Sequence, residues 1–593
     1  MHIMSAMSAI PAIHVAIVGA GPSGFYAAEA LLRSGLSVRV DMIERLPTPF
    51  GLVRSGVAPD HPKLKQAILV YDRIARTPGF NFFGNVQVGR DITVAELRAT
   101  HHAVVFACGA ETDRRMGVPG EDLPRSHTAT EFVGWFNGHP DYRDRTFDLS
   151  QETVAIVGQG NVAADVCRIL AKPVDELRST DIAEHAFDAL ARSQVREIHV
   201  IGRRGPVQAK FTTKELRELG EIAGCATLAD AADLVLNAES ETELMDRNNL
   251  NGLGNIALFR AFAVRKPEVG QRAIRFRFHL NPMALVGDGQ VEKLILTRTR
   301  LEGPPFVQVA RPTDEPVELD CGLVFRSIGY RSVPIPGLPF DDTLGTVPHT
   351  GGRVRAGAVT LPGLYVSGWL KRGPTGIIGT NRADSVETVE SLLADFSKGC
   401  DQEKRGAETV GELLERRGVR VFDYQNWSML DTAEISRGKP KGKPREKFTR
   451  IDEMLAASAG RGNEAGRSFG SALALAGRWK SSSHPNTPVE TMDTMAEEAP
   501  GADSIAVRPE SQISIKTGAS PNQQEIERRR EMVRQFFNDF WVSAEDKPGR
   551  FAERLNRAEG HINERLAARG ETWKLDAASR KQLGLPPPKT HLD

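Results

Sequence analysis

Gly19-Ala20-Gly21-Pro22-Ser23-Gly24 is the stretch on which the fold turns. His14-Val-Ala-Ile-Val18 before it is a short apolar run with β-branched residues, which reads as a strand. Residues 22–34 after it read as a helix, with Phe25, Ala28, Leu31 and Leu32 at helical spacing and Gly35 as the stop. Ser37 to Ile43 reads as the next strand. This βαβ opening predicts a parallel sheet. Glycines at the turn let a pyrophosphate approach the backbone, and the helix N-terminus offers it free N–H donors. Glu44 closes the second strand, about twenty residues past Gly24, where an acid accepts the ribose hydroxyls. A carboxylate there repels a 2′-phosphate, so the site is expected to take an unphosphorylated ADP moiety, that of FAD or NAD.

The same unit recurs. Val154-Ala-Ile-Val157 is a strand, Gly158-Gln159-Gly160-Asn161-Val162-Ala163 the turn, 161–171 a helix and Arg196 to Ile201 the returning strand. Ala163 replaces the third glycine, which governs only helix–strand packing. The returning strand leads into Arg203-Arg204 instead of an acid. Two guanidiniums suit a 2′-phosphate by charge and by bidentate hydrogen bonding, so this site is expected to prefer NADP(H). Ala103-Val-Val-Phe-Ala-Cys-Gly109 and Leu323-Val-Phe-Arg-Ser-Ile-Gly329 share one pattern and are expected to carry the crossings between two domains. The reading is α/β: two Rossmann-like domains, the first discontinuous (12–110 and 326–457), the second inserted (111–325). One acid-closed site and one arginine-closed site imply a resident FAD and an exchanging NADP(H).

Composition narrows the class. The 593 residues carry 76 basic and 76 acidic side chains, which speaks against a bulk nucleic-acid or membrane-surface binder. The five cysteines, Cys108, Cys167, Cys225, Cys321 and Cys400, form no CxxC. A zinc ribbon, a ligated iron–sulfur cluster and a dithiol redox centre are therefore disfavoured, and no metal site is expected. The sparse count fits a reducing cytoplasm. The uncharged stretch before Glu29 lacks a basic n-region and is broken by glycines, so it does not read as a signal peptide.

Two further runs carry information. Leu46-Pro-Thr-Pro-Phe-Gly-Leu-Val-Arg-Ser-Gly-Val-Ala-Pro-Asp-His-Pro62 follows Glu44 almost directly. Gly368-Trp369-Leu-Lys-Arg-Gly-Pro-Thr-Gly376-Ile377-Ile378-Gly-Thr-Asn381 leads into a helix. With the two glycine motifs, Val200 to Leu216 and Gly337 to Asp342, these runs closely resemble the adrenodoxin reductase family, in its mycobacterial ferredoxin–NADP+ reductase form. The resemblance spans about residues 12 to 457. It implies FAD contacts at Gly19, Gly21, Ser23, Gly24, Glu44, Leu52 and Val88, with Trp369, Gly376, Ile377 and Ile378 on the flavin-ring side. It implies NADP contacts at Gly158, Gln159, Gly160, Asn161, Arg203, Arg204 and Glu215; Gly376 is a candidate for both cofactors. His61, Glu215 and Glu218 match segments that the family places near flavin and nicotinamide, and are the candidates for proton handling.

The resemblance thus implies hydride transfer from NADPH to FAD, then single-electron transfer to a separate ferredoxin, on a monomeric core. No fused ferredoxin module is evident, because its cysteine clusters are missing. An NADPH dehydrogenase acting on quinones shares every cofactor motif and stays open as an alternative. The basic run 437–450, with seven basic residues against Glu446, is one candidate docking face; Arg260, Arg265 and Lys266 are another. Beyond 457 nothing matches the family. Residues 458–522, rich in Ser, Gly, Ala, Pro and Thr, read as linker. Residues 523–593 read as a helical extension, a hairpin about Lys547-Pro548-Gly549 with Phe536, Phe537, Phe540 and Trp541 as an apolar patch. A flavoprotein scaffold acting through those helices is the non-enzyme alternative.

Overall fold

The computed structural model describes residues 12–246, 249–397, 403–458, 513–516 and 572–575. The chain divides into two units, Met1–Lys480 and Ser481–Asp593.

The first unit is built on two sheets. Ile13–Val18 lies inside a seven-stranded sheet, ordered His349–Thr350, Arg353–Ala356, Val359–Val366, Ala103–Phe106, Ile13–Val18, Val38–Ile43 and Phe80–Phe83. The last five of these run parallel, with Val15 opposite both Val40 and Ala103. Successive side chains of a strand point to opposite faces, and both faces here are covered. Val15 and Ile17 pack with Phe25, Ala28 and Leu31 of helix Pro22–Leu32. Ala16 and Val18 turn the other way, into a cluster with Val104, Phe106, Leu97 and Val366.

The second sheet has six strands, all parallel: Ser126–Thr128, Leu323–Arg326, Thr153–Val157, Glu197–Ile201, Arg272–Arg277 and Cys225–Ala229. Leu323–Arg326 lies wholly in it, so this sheet extends one residue past the 325 expected as its limit. Helix Asn161–Ala171 covers one face. A three-stranded antiparallel sheet, Leu280–Val286, Lys293–Glu302 and Val309–Asp320, covers the other through Leu285, Leu294 and Leu296. The two chain crossings pair with each other as a short antiparallel ladder, Thr112–Asp113 with Tyr330–Arg331. Ser332 Oγ donates to Gly109 O at 2.9 Å and locks its base.

Most of the run 437–450 is not a free basic face. Lys443 and Lys447 are buried. Lys443 pairs with Glu446 at 2.6 Å, Lys447 with Asp181 at 2.9 Å and Arg445 with Asp431 at 2.5 Å. The charge run straps the inserted domain to the first one, because Lys447 meets Asp181 and Lys443 meets Glu184 at 3.1 Å, both in the inserted domain. No helix among the described residues is long and apolar enough to cross a membrane.

The second unit is described only as an antiparallel pair, Ile513–Lys516 with Thr572–Leu575. The expected linker and helical hairpin otherwise lie outside the described residues. Where they are described, the structure has strands in place of linker and helix. Ile513 and Ile515 alternating with Ser514 and Lys516 is a period-two pattern that a reading by composition passes over.

Candidate functional site

Both glycine turns sit where the sequence places them, at the C-terminal ends of central strands, where open α/β sheets bind their ligands. In the first, Gly19 adopts φ +107° and a Cβ there would lie 2.7 Å from Ala107 O. A Cβ on Gly24 would lie 2.1 Å from Gly19 O, so Gly24 sets how closely helix Pro22–Leu32 meets its strand. Gly21 differs: nothing lies within 4 Å of its Cβ position. It caps the helix without any side-chain hydrogen bond, leaving first-turn donors facing open space. The second turn repeats the division. A Cβ on Gly158 would meet Ser327 O at 2.1 Å, whereas Gly160, the cap of helix Asn161–Ala171, has nothing within 4 Å. Two open, uncapped helix N-termini are cradles that fit two pyrophosphates.

Glu44 lies at the first cradle. Its carboxylate accepts from Ala20 N at 2.9 Å and Leu46 N at 3.1 Å. Burial pushes this carboxyl above its ordinary value, against those two amides. A small cleft of about 30 Å³ opens beside it, lined by Leu46, Thr48, Gly51, Arg54 and His139. The run after Glu44 folds back onto the glycines: Phe50 N donates to Ala20 O at 2.8 Å. Leu52 begins the short helix Leu52–Ser55 there. Val88 packs half-buried on the cluster of Val18 and Phe106, beneath the same strand ends.

The Trp369–Asn381 run reaches this site from the far end of the sequence. A Cβ on Gly368 would lie 2.8 Å from the Ser23 side chain. The Ser23, Ser367 and Ser385 hydroxyls form a buried triangle with sides of 2.7, 3.1 and 3.0 Å. Helix Thr380–Asp395 packs on helix Pro22–Leu32. Trp369 is held by Nε1 donating to Thr375 O at 3.1 Å and lies against Tyr330 of the crossing ladder, centroids 5.2 Å apart. Gly376 and Ile377 are exposed and Ile378 is half-buried.

At the second cradle, Gln159 O accepts from Lys210 N at 2.7 Å and Gln159 Nε2 donates to Arg277 O at 3.2 Å. Asn161 Oδ1 accepts from Thr212 N at 2.9 Å. These bonds bring helix Thr213–Leu219 alongside the turn. Arg203 and Arg204 follow strand Glu197–Ile201. Neither forms an ion pair within 4 Å among the described residues, and burial, then the neighbouring Arg203 charge, lowers the Arg204 pKa. Two adjacent, unneutralised guanidiniums fit an incoming phosphate.

His61, on the run that follows Glu44, meets the helix alongside the second cradle. The Glu218 carboxylate accepts from His61 Nε2 at 3.0 Å, and Glu215 Oε1 stands 3.7 Å from Nδ1. Thr212 Oγ1 caps the helix carrying both glutamates, accepting from Glu215 N at 3.4 Å. The other Glu215 oxygen accepts from Arg168 Nη1 at 3.0 Å. Burial raises the Glu215 pKa, against His61 and Arg168. Ligating atoms of His61, Glu215 and Glu218 lie within 4.8 Å of one another, but a cation there would meet the Arg168 guanidinium already on Glu215.

The sequence reading missed Arg168, Asp60 and Asp165. The signal available was one arginine inside an otherwise apolar face, Val166-Cys167-Arg168-Ile169-Leu170. It also missed the serine triangle, which joins residues more than 300 apart and leaves no local trace.

These features define a two-dinucleotide oxidoreductase. Residues 13–219 match the pyridine nucleotide-disulphide oxidoreductase family. The NADPH-ferredoxin reductase FprA of Mycobacterium leprae is 44% identical over 451 residues, covering 74% of this chain and 97% of that protein. The mitochondrial NADPH:adrenodoxin oxidoreductase of Salvelinus fontinalis is 45% identical over 452 residues, covering 74% and 90%. The Mycobacterium tuberculosis FprA structure in complex with NADPH superposes with TM-score 0.72 at 42% identity, covering 76% of this chain and all of that one. The chain belongs to the adrenodoxin reductase family of NADPH-ferredoxin reductases.

Proposed function

We propose that this chain oxidises NADPH through bound FAD and passes the electrons singly to a separate ferredoxin. The observation that carries the reading is one unit holding two open glycine cradles, one closed by Glu44 and one by Arg203 and Arg204, with His61 meeting the helix alongside the second. FAD, when bound, supplies acceptance of two electrons from a nicotinamide and their release one at a time.

The chain's own residues do the rest. Gly19, Gly21, Ser23, Gly24, Glu44, Leu52 and Val88 hold the FAD, with residues 12–110 and 326–457 as its domain. Trp369, Gly376, Ile377 and Ile378 close over the ring side. Gly158, Gln159, Gly160 and Asn161 seat the NADP(H) pyrophosphate in the domain of residues 111–325. Arg203 and Arg204 select the 2′-phosphate and Glu215 adds a contact. Glu218 orients the His61 ring through the Nε2 hydrogen bond. No side-chain nucleophile is needed. The sparse cysteines, free at all four described positions, support a cytoplasmic setting.

Steady-state acceptor kinetics test this. With NADPH as donor, the rate should saturate in ferredoxin with a kcat/KM above that for any simple quinone. A quinone preferred over every ferredoxin tried would assign the chain to small-acceptor reduction.

A further inference from the structure

Among the described residues, Arg168 is the largest side chain with almost no exposure, at 1%. It projects from helix Asn161–Ala171, whose N-terminus is the second cradle. Its Nε and Nη2 donate to the two oxygens of Asp60 at 2.7 and 3.1 Å, Nη1 to Glu215 at 3.0 Å, and Nη2 also to Asp165 at 2.5 Å. Asp60 belongs to the first domain and precedes His61; Asp165 and Glu215 belong to the inserted one. One guanidinium therefore joins both domains through the residues flanking a single imidazole.

We propose that Arg168 is a positioning residue that ties the NADP-side helix to His61, fixing Asp60 and Glu215 on either side of the imidazole. The planar five-donor fork makes four hydrogen bonds to three carboxylates, gripping Asp60 by both oxygens, whereas an ammonium has only three donors. The charges around His61 are Asp60, Asp165, Glu215 and Glu218 against Arg168, Lys172, which lies 3.0 Å from Asp60, and Lys214, 3.9 Å from Glu218. Arg168 is the only one of these cations that is fully buried. Without it Asp60 keeps Lys172, Glu215 keeps only His61, and Asp165 has no cation partner among the described residues. Burial already opposes ionisation of Asp60, whose carboxyl is held below its ordinary value by Arg168 and then Lys172. Burial raises Asp165 to about 6 even with Arg168 beside it. Removing the guanidinium lets these groups take up protons, and the seat of His61 shifts with them.

The inference rests on the NADPH-to-flavin reading above. The experiment uses FAD-loaded full-length protein, wild type beside Arg168→Lys and Arg168→Met, with anaerobic stopped-flow reduction by NADPH across pH. For Arg168→Met, the rate at saturating NADPH should fall about tenfold. Its KM should rise less than its rate falls, because the cradle and the arginine pair are untouched and Glu215 alone of the NADP contacts loses a partner, and its acid limb should rise by about one pH unit. Arg168→Lys keeps the charge but not the fork, so its rate should fall about threefold with the acid limb in place. Amide protons of residues 58–66 should exchange faster in Arg168→Met, a readout independent of turnover. An unchanged rate and acid limb in Arg168→Met, or a raised KM with unchanged kcat, would overturn the proposal. Should Arg168→Met fail to retain FAD, an unchanged kcat in Arg168→Lys overturns it equally. A wild-type flavin that NADPH does not reduce would instead sink the underlying functional reading.

Discussion

His61 and Glu218 are 157 residues apart in sequence, yet His61 Nε2 lies 3.0 Å from Glu218 Oε2. The contact crosses from the first domain to the inserted one, beside the second cradle. Hydride passes between cofactors, so this couple tunes the environment and does not carry the bond-making. His61→Gln and Glu218→Gln should each slow NADPH-dependent reduction severalfold without abolishing it. A loss of about a thousandfold with both cofactors still bound would give the couple an obligatory proton-transfer role.

The glycines of the first turn should separate by function. Gly24→Ala places a methyl 2.1 Å from Gly19 O, so it should lower stability of the FAD-free protein, by about 1–3 kcal/mol as an overpacked site. Gly21→Ala adds a methyl to open space and should leave that stability unchanged while weakening FAD binding. Urea unfolding with and without FAD checks both. Equal destabilisation of the two FAD-free variants would contradict this division.

Arg203 and Arg204 should govern nucleotide choice. Each charge-assisted hydrogen bond to a 2′-phosphate is lost on truncation, so each alanine variant should raise the KM for NADPH about tenfold to a hundredfold. The KM for NADH should hardly move. A parallel rise for both nucleotides would place the pair on the shared part of the molecule, away from the 2′ position.

A pH dependence of stability follows from the strap. Lys447 is buried against Asp181, with Lys65 on the same carboxylate and Arg54 nearby. Burial first, then the neighbouring cations, lowers its pKa to about 7, despite Asp181. An unfolded lysine titrates near 10.4, so between about pH 7 and about pH 10 the unfolded chain holds the extra proton. Stability from this site therefore rises with pH through that window and is lower below it. The gap in unfolding free energy between wild type and Lys447→Met should grow from pH 7 to pH 9.5. A gap that stays constant would show the buried lysine to be charged throughout.

Much of this was legible in the chain because it is written locally. Strand, turn and helix around Gly19 and Gly158 are contiguous, and glycine, Glu44 and Arg203 each have one physical use at their position. The His61 pairing was legible once the resemblance brought the segments together: Glu215 and Glu218 share a helical face from which either could reach His61, and Glu218 does. Arg168 was not legible, because a buried arginine is recognised by the carboxylates that converge on it, and Asp60 and Glu215 are remote from it in sequence. The strap failed for the same reason. A run of lysines looks solvated until Asp181, Glu184 and Glu434 are seen to face it. The strand Ile513–Lys516 was missed because four residues of alternation carry little weight inside a Ser- and Gly-rich segment.

The most direct test of the central claim is an anaerobic titration of the purified protein, following flavin absorbance, with NADPH and NADH in parallel. The account predicts a yellow protein that NADPH bleaches at far lower concentration than NADH. Equal response to both nucleotides would contradict the assignment of Arg203 and Arg204, and a colourless protein that FAD cannot reconstitute would contradict the account as a whole.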